Sequence, residues 1–466
     1  SDLTISGPDY GLDGLVLLSG LRSGFVLSVD ADARYEDLAR LSTLAGRDIQ
    51  GRADASLRGY YRFLNRSFDI DASVTGTDIA LDQPQLDRLL EGQSTITLDA
   101  RRDETGIEIE DLSVNAQRLT AQAQGYVNSL SSDLTATISM PSLQDADPNF
   151  SGALQAEAKL SGAAGSRQLT VSGEAEDLRI GIEALDNALE GQTTLTLLAA
   201  EKPEGYEVEV FRLANPQIRA EGRGSFAQGA LDANLDLSVP DLSTIREGWT
   251  GGFDAMARLT EQDGTRFIDM TGSGQNLSFG VGNADAALTG TTRMRVQAEE
   301  RDGTVTLRDV ELVNDQMNAT AQGVYGTGVT DISADVQVAS LAPFGPGWRG
   351  ALNLTGSFRE AGDGIRRLEV TGTGRDLAFG QAQVDGALAG ETRLAVTGTE
   401  QNGVFTIEQA RVENPRLNAT ASGTVGGNRT DVTAQVNAQD LRFLGNGISG
   451  ALNADARLVQ DGAVRR

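Results

Sequence analysis

The chain contains no histidine and no cysteine. No imidazole is available as a general base, no thiolate as a nucleophile, and no His or Cys set to hold zinc. Without cysteine the fold is also indifferent to redox compartment. Lysine is nearly missing: Lys159 and Lys202 stand beside 37 arginines, and 39 basic against 66 acidic residues leave a net charge of −27. That balance argues against nucleic-acid binding, which needs cations to neutralise phosphates, and against electrostatic docking on an anionic lipid surface. Proline occurs 10 times and aromatics make up 5%. The chain is therefore no Pro-rich linker, and its apolar surface must come from Leu, Val, Ile and Ala. No run reaches the roughly 18 apolar residues of a membrane-spanning helix.

Glycine is abundant, 55 of 466 residues, and it recurs in register. Phe150-Ser151-Gly152-Ala153-Leu154 returns as Trp249-Thr250-Gly251-Gly252-Phe253, as Trp348-Arg349-Gly350-Ala351-Leu352 and as Ile448-Ser449-Gly450-Ala451-Leu452, with a weaker first copy at Ile49-Gln50-Gly51. The glycines at 51, 152, 251, 350 and 450 are spaced by 101, 99, 99 and 100 residues. Three further series step by 99, 99 and 100: Gly92, Gly191, Gly290 and Gly390; Gly125, Gly224, Gly323 and Gly423; Leu143, Leu242, Leu341 and Leu441. Markers in one register are the signature of a repeat architecture. They divide the chain into the tail of a preceding repeat (1–48), four full repeats (49–147, 148–246, 247–345 and 346–445) and the head of the next (446–466), read as one continuous solenoid. The start at Ser1-Asp2-Leu3 and the end at Val464-Arg465-Arg466 read as those of an internal piece of a longer protein, with any signal or anchor outside it.

Within a repeat the hydrophobic period is two, the mark of strands with one apolar face. Leu154, Ala156, Ala158 and Leu160 alternate with polar neighbours, as do Phe253, Ala255, Ala257 and Leu259. The candidate face collects Leu134, Ala136, Ile138, Leu154 and Leu160 from the first junction, and Leu195, Leu197, Val208, Val210, Leu231, Leu235 and Leu237 from the second repeat. It continues through Phe253, Leu259, Met294, Val296, Val305, Leu307, Ile332, Val336 and Val338. Leu352, Leu354, Leu394, Val396, Phe405, Ile407, Val432 and Val436 complete it. Asp263-Gly264, Asp302-Gly303, Asp363-Gly364, Asn402-Gly403 and Asp461-Gly462 separate alternating runs and suit the paired φ > 0 residues of type I′ hairpin turns. About six strands per repeat follow, some 27 in all, joined as an antiparallel meander. The one helix expected is short, near Tyr35–Leu44; other repeats carry Pro- or Gly-bearing connectors there, such as Val239-Pro240-Asp241-Leu242. With no amphipathic helix to cover the apolar face, three arrangements remain: separate sandwiches, a filled β-helix, or a sheet curled into a trough. The fixed register favours a continuous structure.

The repeated Leu-x-Gly-x-Thr segment (Leu189-Glu190-Gly191-Gln192-Thr193), the aromatic-x-Gly-x-Leu segment and the period of about a hundred residues resemble the repeat region of the TamB family, related to AsmA-like proteins, over nearly the whole chain. The resemblance implies an all-β, long curved antiparallel meander with an apolar groove, sometimes called a β-taco. It implies a periplasmic location in a Gram-negative bacterium, inner-membrane anchoring through a segment not present here, and no direct membrane contact by this region. It further implies phospholipid as cargo, an outer-membrane barrel partner resembling TamA, and a role in outer-membrane biogenesis and protein assembly. No cofactor, metal or catalytic residue is implied, and the chain reads as non-enzymatic.

The alternative is a secreted structural or adhesive β-solenoid with a closed core; its usual rungs of about 20–25 residues do not match this period. Trp249 and Trp348 read as braces at repeat junctions. Gly372-Thr373-Gly374 lacks the third glycine of a dinucleotide-binding turn and no helix is expected after it.

Overall fold

The computed structural model describes residues 2–20, 24–326, 328–360, 362, 364–426, 429–444, 447–461 and 464–465. Contacts within the chain gather into two compact units, Ser1–Gln228 and Gly229–Arg466. Both are all-β. The first runs from strand Asp2–Gly7 to strand Arg219–Ala227, the second from Ala230–Val239 to Val464–Arg465. Within each unit every described pairing is antiparallel and joins strands consecutive in sequence. Each unit is thus an open meander; among the described residues no pairing closes either one into a barrel.

The third repeat shows the plan. Its six strands are Thr250–Gln262, Thr265–Ser278, Thr291–Arg301, Thr304–Val313, Met317–Gly326 and Val329–Val338. The first and second, third and fourth, and fifth and sixth are joined by short hairpins, which together form one margin of the sheet. Asp263 and Gly264 have φ of 52° and 72°, Asp302 and Gly303 51° and 76°, and Asn402 and Gly403 54° and 77°. These are the left-handed pairs that the Asp-Gly and Asn-Gly signals anticipate. The turns at Asp363-Gly364 and Asp461-Gly462 each include a residue outside the described ones.

The opposite margin departs from expectation. The second and third strands are linked by a helix of six or seven residues in every full repeat: Pro84–Leu89, Glu183–Ala188, Gly282–Leu288 and Ala382–Ala387. A further 3-10 turn follows the sixth strand, at Leu143–Asp145, Leu242–Thr244, Ala342–Phe344 and Leu441–Leu444. The helix expected near Tyr35–Leu44 is the matching element of the preceding repeat, Leu38–Leu41 running into Ser42–Ala45. The view that no helices cover the apolar face is therefore corrected for this margin. Helices of six or seven residues are too short to register as a 3.6-residue period.

Each of these helices is tied back to the strand before it by an aspartate of its own. Asp87, Asp186, Asp285 and Asp385 each accept the backbone N–H at the end of the second strand, from Leu81, Ile180, Phe279 and Phe379 at 2.6–3.0 Å. The Phe279 amide, with help from the Ser278 hydroxyl and Val281, holds the Asp285 carboxyl below the usual carboxylate range. Just before, Asp78, Asp177, Asn276 and Asp376 sit at φ of 49–54° and accept the N–H of Gly92, Gly191, Gly290 and Gly390, each at 2.9 Å. The Leu-x-Gly marker is the far end of that hydrogen bond.

The first marker also has a backbone cause. Gly51, Gly152, Gly251 and Gly350 lie at φ of 98–105°, where each first strand bulges against the second. A Cβ at Gly251 stands 2.4 Å from the Gln275 carbonyl oxygen, and at Gly350 2.6 Å from that of Arg375. Only glycine meets both demands.

Consecutive repeats are stapled on the polar face by one recurring ion pair. Asp30–Arg58, Asp133–Lys159, Asp232–Arg258, Asp331–Arg359 and Asp431–Arg457 stand 2.7–3.4 Å apart, each joining the last strand of one repeat to the first of the next. The guanidiniums of Arg258 and Arg457 hold the carboxyls of Asp232 and Asp431 below their ordinary range. Exposed pairs add little stability, but unlike charges at the same place in every junction favour one register.

Gly251→Ala is expected to destabilise the chain by about 2 kcal/mol or more, combining φ strain with a backbone clash. Gly264→Ala, in a hairpin with open space around its Cβ position, costs about 1 kcal/mol. Thermal or urea unfolding of the two variants checks the order.

Candidate functional site

Residues directly opposite in an antiparallel pair lie on the same face of the sheet, so the registers trace each face strand by strand. From the last strand of the first repeat into the second, Leu134, Leu160, Leu169 and Ala199 follow one another across four strands, as do Ala156, Gly173, Leu195 and Leu213 within the second. In the third, Ala257, Met270, Val296, Val310, Ala321 and Ala334 form one row. The row continues through Gly356, Val370, Val396 and Ala410 in the fourth. One face of each unit is aliphatic, while Asp, Glu, Arg, Thr and Gln fill the other.

Of the residues expected on the apolar face, 28 of 29 lie there; Val210 does not. Each fourth strand carries a bulge that reverses the alternation. Leu198 opposes Val210 while the next residue, Ala199, opposes Val208, so Glu209 is the extra residue. Val208 stays on the apolar face and Val210 turns to the polar one, where the matching positions hold Asp111, Asp309 and Gln409. Beyond the bulge, Phe211 and Leu213, Val310 and Leu312, and Ala410 and Val412 join the apolar face. Sequence reasoning missed these because it carried one unbroken period through the strand. It also missed Ile268 and Met270, and Leu368 and Val370, whose strands have glycine in place of further aliphatics. The signal was available: two polar residues in succession (Arg308-Asp309, Glu408-Gln409) interrupt an otherwise alternating run.

Among the described residues the apolar face has no covering layer within its unit. Along the middle of the strands its large aliphatics remain half-buried; Leu235 is 39% exposed and Leu57 40%. Fully buried large side chains gather instead at the helical margin. One cluster there is Leu89, Leu119, Met140 and Leu143; another is Val338, Leu341, Leu377 and Leu388, with Trp348, Phe344 and Leu352 against it. Leu277 and Leu377 fold back over Gly274 and Gly374, where a Cβ would stand 2.5 Å from their side chains. Gly372-Thr373-Gly374 thus lies within strand Arg366–Phe379 and makes room for packing. Trp249 meets Phe279 and Trp348 meets Phe379 edge-on, with centroids 5.0 and 5.1 Å apart, each within its own repeat; Trp348 also packs against the cluster of Val338 and Leu341 from the repeat before.

Buried hydrogen bonds fasten the plugs to the sheet. Thr193, Thr292 and Thr392 are at most 2% exposed. The amide of Asn215 donates to Thr193 Oγ1 and the Ala188 carbonyl, that of Asn314 to Thr292 Oγ1 and the Ala287 carbonyl, and that of Asn414 to Thr392 Oγ1. The first repeat has Ala116 in place of the asparagine and Ser94 donating to the Leu90 carbonyl.

No protein-family model and no curated protein matches this chain.

The hairpin margin differs from the helical one. Tyr206 and Phe226, paired across neighbouring strands, are 63% and 52% exposed, and Tyr325 is 61% exposed. The apolar face is therefore plugged along one margin and bare along the other. The polar face holds open depressions, for example one lined by Asn353, Thr355, Thr371, Arg393 and Glu413. Among the described residues no group of three His, Cys, Asp or Glu is placed to hold a metal ion.

Val210→Asp is expected to change stability by less than about 0.5 kcal/mol, since the matching positions already hold polar side chains, two of them aspartates. Val208→Asp, two residues away on the apolar face, is expected to cost about 1–3 kcal/mol. Unfolding midpoints of the two variants measure the bulge directly.

Proposed function

We propose that this chain is a segment of a TamB-like, non-enzymatic conduit that carries phospholipid acyl chains along an apolar β-face between inner and outer membrane. On this reading it acts in the periplasm of a Gram-negative bacterium, held to the inner membrane through a segment outside this chain. It serves outer-membrane biogenesis and protein assembly together with a barrel partner resembling TamA. The observation that carries the proposal is the aliphatic face of each unit, present on strand after strand and left half-exposed by the rest of the chain. Soluble proteins rarely leave apolar area of this extent without a ligand or partner for it.

Acyl chains are the cargo such a face suits. Each buried CH₂ is worth about 0.8 kcal/mol, so a tail of about sixteen carbons gains up to roughly 10 kcal/mol. The interaction has no direction and no preferred position along equivalent repeats, so a lipid slides without meeting a deep well. The half-burial of mid-strand aliphatics and the wholly antiparallel pairing favour this reading over an adhesive solenoid with a closed core.

A charge on the apolar face tests it. Leu235→Asp and Val336→Asp are expected to lower lipid extraction from vesicles about tenfold, ~1.4 kcal/mol, while the fold persists by circular dichroism. Asn234→Asp, on the polar face, leaves extraction unchanged. Parallel loss of fold and extraction in the first two variants contradicts an open face and points to a packed core.

A further inference from the structure

The charges on the apolar face of the second unit are few and share one place. Among the described strand residues on that face, from Ala230–Val239 to Leu452–Asp461, the registers place only six charged side chains: Glu261, Arg266 and Glu300, and Glu360, Arg366 and Glu400. All six lie at the hairpin margin. Glu261 opposes Arg266, which opposes Glu300 on its other side; Glu360, Arg366 and Glu400 repeat the arrangement one repeat later. Arg266 Nε stands 3.0 Å from Glu261 Oε2 and its Nη1 3.3 Å from Glu300 Oε2. Arg366 spans Glu360 at 3.4 Å and Glu400 at 3.1 Å. The second oxygens of Glu300 and Glu400 accept the N–H of Gly303 and Gly403, which fixes both carboxylates at the turn. Both arginine side chains remain about half exposed.

We infer that these triads receive the headgroup of a phospholipid bearing a primary ammonium, whose acyl chains lie across the apolar face toward the helical plugs. The inference rests on the acyl-chain reading and adds to it an orientation and a headgroup class. The match is one of polarity and sign. The face is aliphatic from the plugs outward and charged only at the margin that the plugs leave bare, the same order as in an amphiphile. A guanidinium between two carboxylates offers a phosphate its remaining donors, and offers an ammonium acceptors on either side. Each triad sums to −1, so a zwitterionic headgroup is accommodated while one of net negative charge meets repulsion. The margin of the first repeat has no such triad: the matching register there is Tyr61, Phe68 and Arg102.

The test offers the chain vesicles of equimolar phosphatidylethanolamine and phosphatidylglycerol with identical acyl chains, re-isolates the protein, and quantifies bound lipid by mass spectrometry. The bound pool is expected to favour phosphatidylethanolamine by at least about fivefold, ~1 kcal/mol. The variant carrying E261Q, E300Q, E360Q and E400Q keeps the acceptor oxygens but removes the charge; it is expected to bind as much lipid in total, at a ratio near unity. D254N, on the polar face, keeps the wild-type ratio. Lipid bound by the wild type without preference, or a preference that survives in the quadruple variant, overturns the headgroup assignment alone. A wild type that binds neither lipid overturns the acyl-chain reading and this inference with it.

Discussion

Everything in this molecule depends on keeping like opposite like across consecutive strands. In an antiparallel pair a slip of one residue moves every aliphatic to the polar face, and a meander hands that error to each strand after it. The chain controls register with devices that recur each repeat: the bulge glycine of the first strand, the left-handed Asp or Asn tied to the Leu-x-Gly glycine, and the charge pair across each junction; the third and fourth repeats add Asp-Gly and Asn-Gly hairpins. None is strong alone. Their repetition makes the register consistent at every level, which is what lets a sequence specify one structure.

The same devices divide the labour between the two margins. Where short helices turn the chain, leucines, a buried threonine and an asparagine amide form closed plugs, and the large buried side chains of each unit concentrate there. Where hairpins turn it, the aliphatic rows run out into aromatics and charge triads. The sheet face is thus plugged on one side and bare on the other, with its largest buried side chains in the plugs. The face between them is left for something else.

Much of this was legible in the sequence, for physical reasons that differ by element. Alternation over ten residues, as in Leu231 to Val239, marks a strand with one buried face, and the Asp-Gly pairs state where it turns. The spacing of Gly152, Gly251 and Gly350 gave the repeat. The short helices were not legible, since Glu183–Ala188 is too short to show a period and the aspartate that ties it to the strand before, Asp186, looks like any surface aspartate. Val210 was misplaced because a bulge is a defect in the period and the residue itself is aliphatic; only Asp111, Asp309 and Gln409 at the matching positions reveal its side. The junction pairs and the Glu-Arg-Glu triads were invisible because they join residues about 5 to 40 apart whose meeting depends on register.

The most direct test of the central claim, that the aliphatic face is a seat for acyl chains, is mass spectrometry of the lipids that co-purify with the wild-type chain in mild detergent. The account predicts phospholipid retained at more than one molecule per chain, in keeping with several equivalent repeats. A folded, monomeric chain that emerges free of lipid contradicts it.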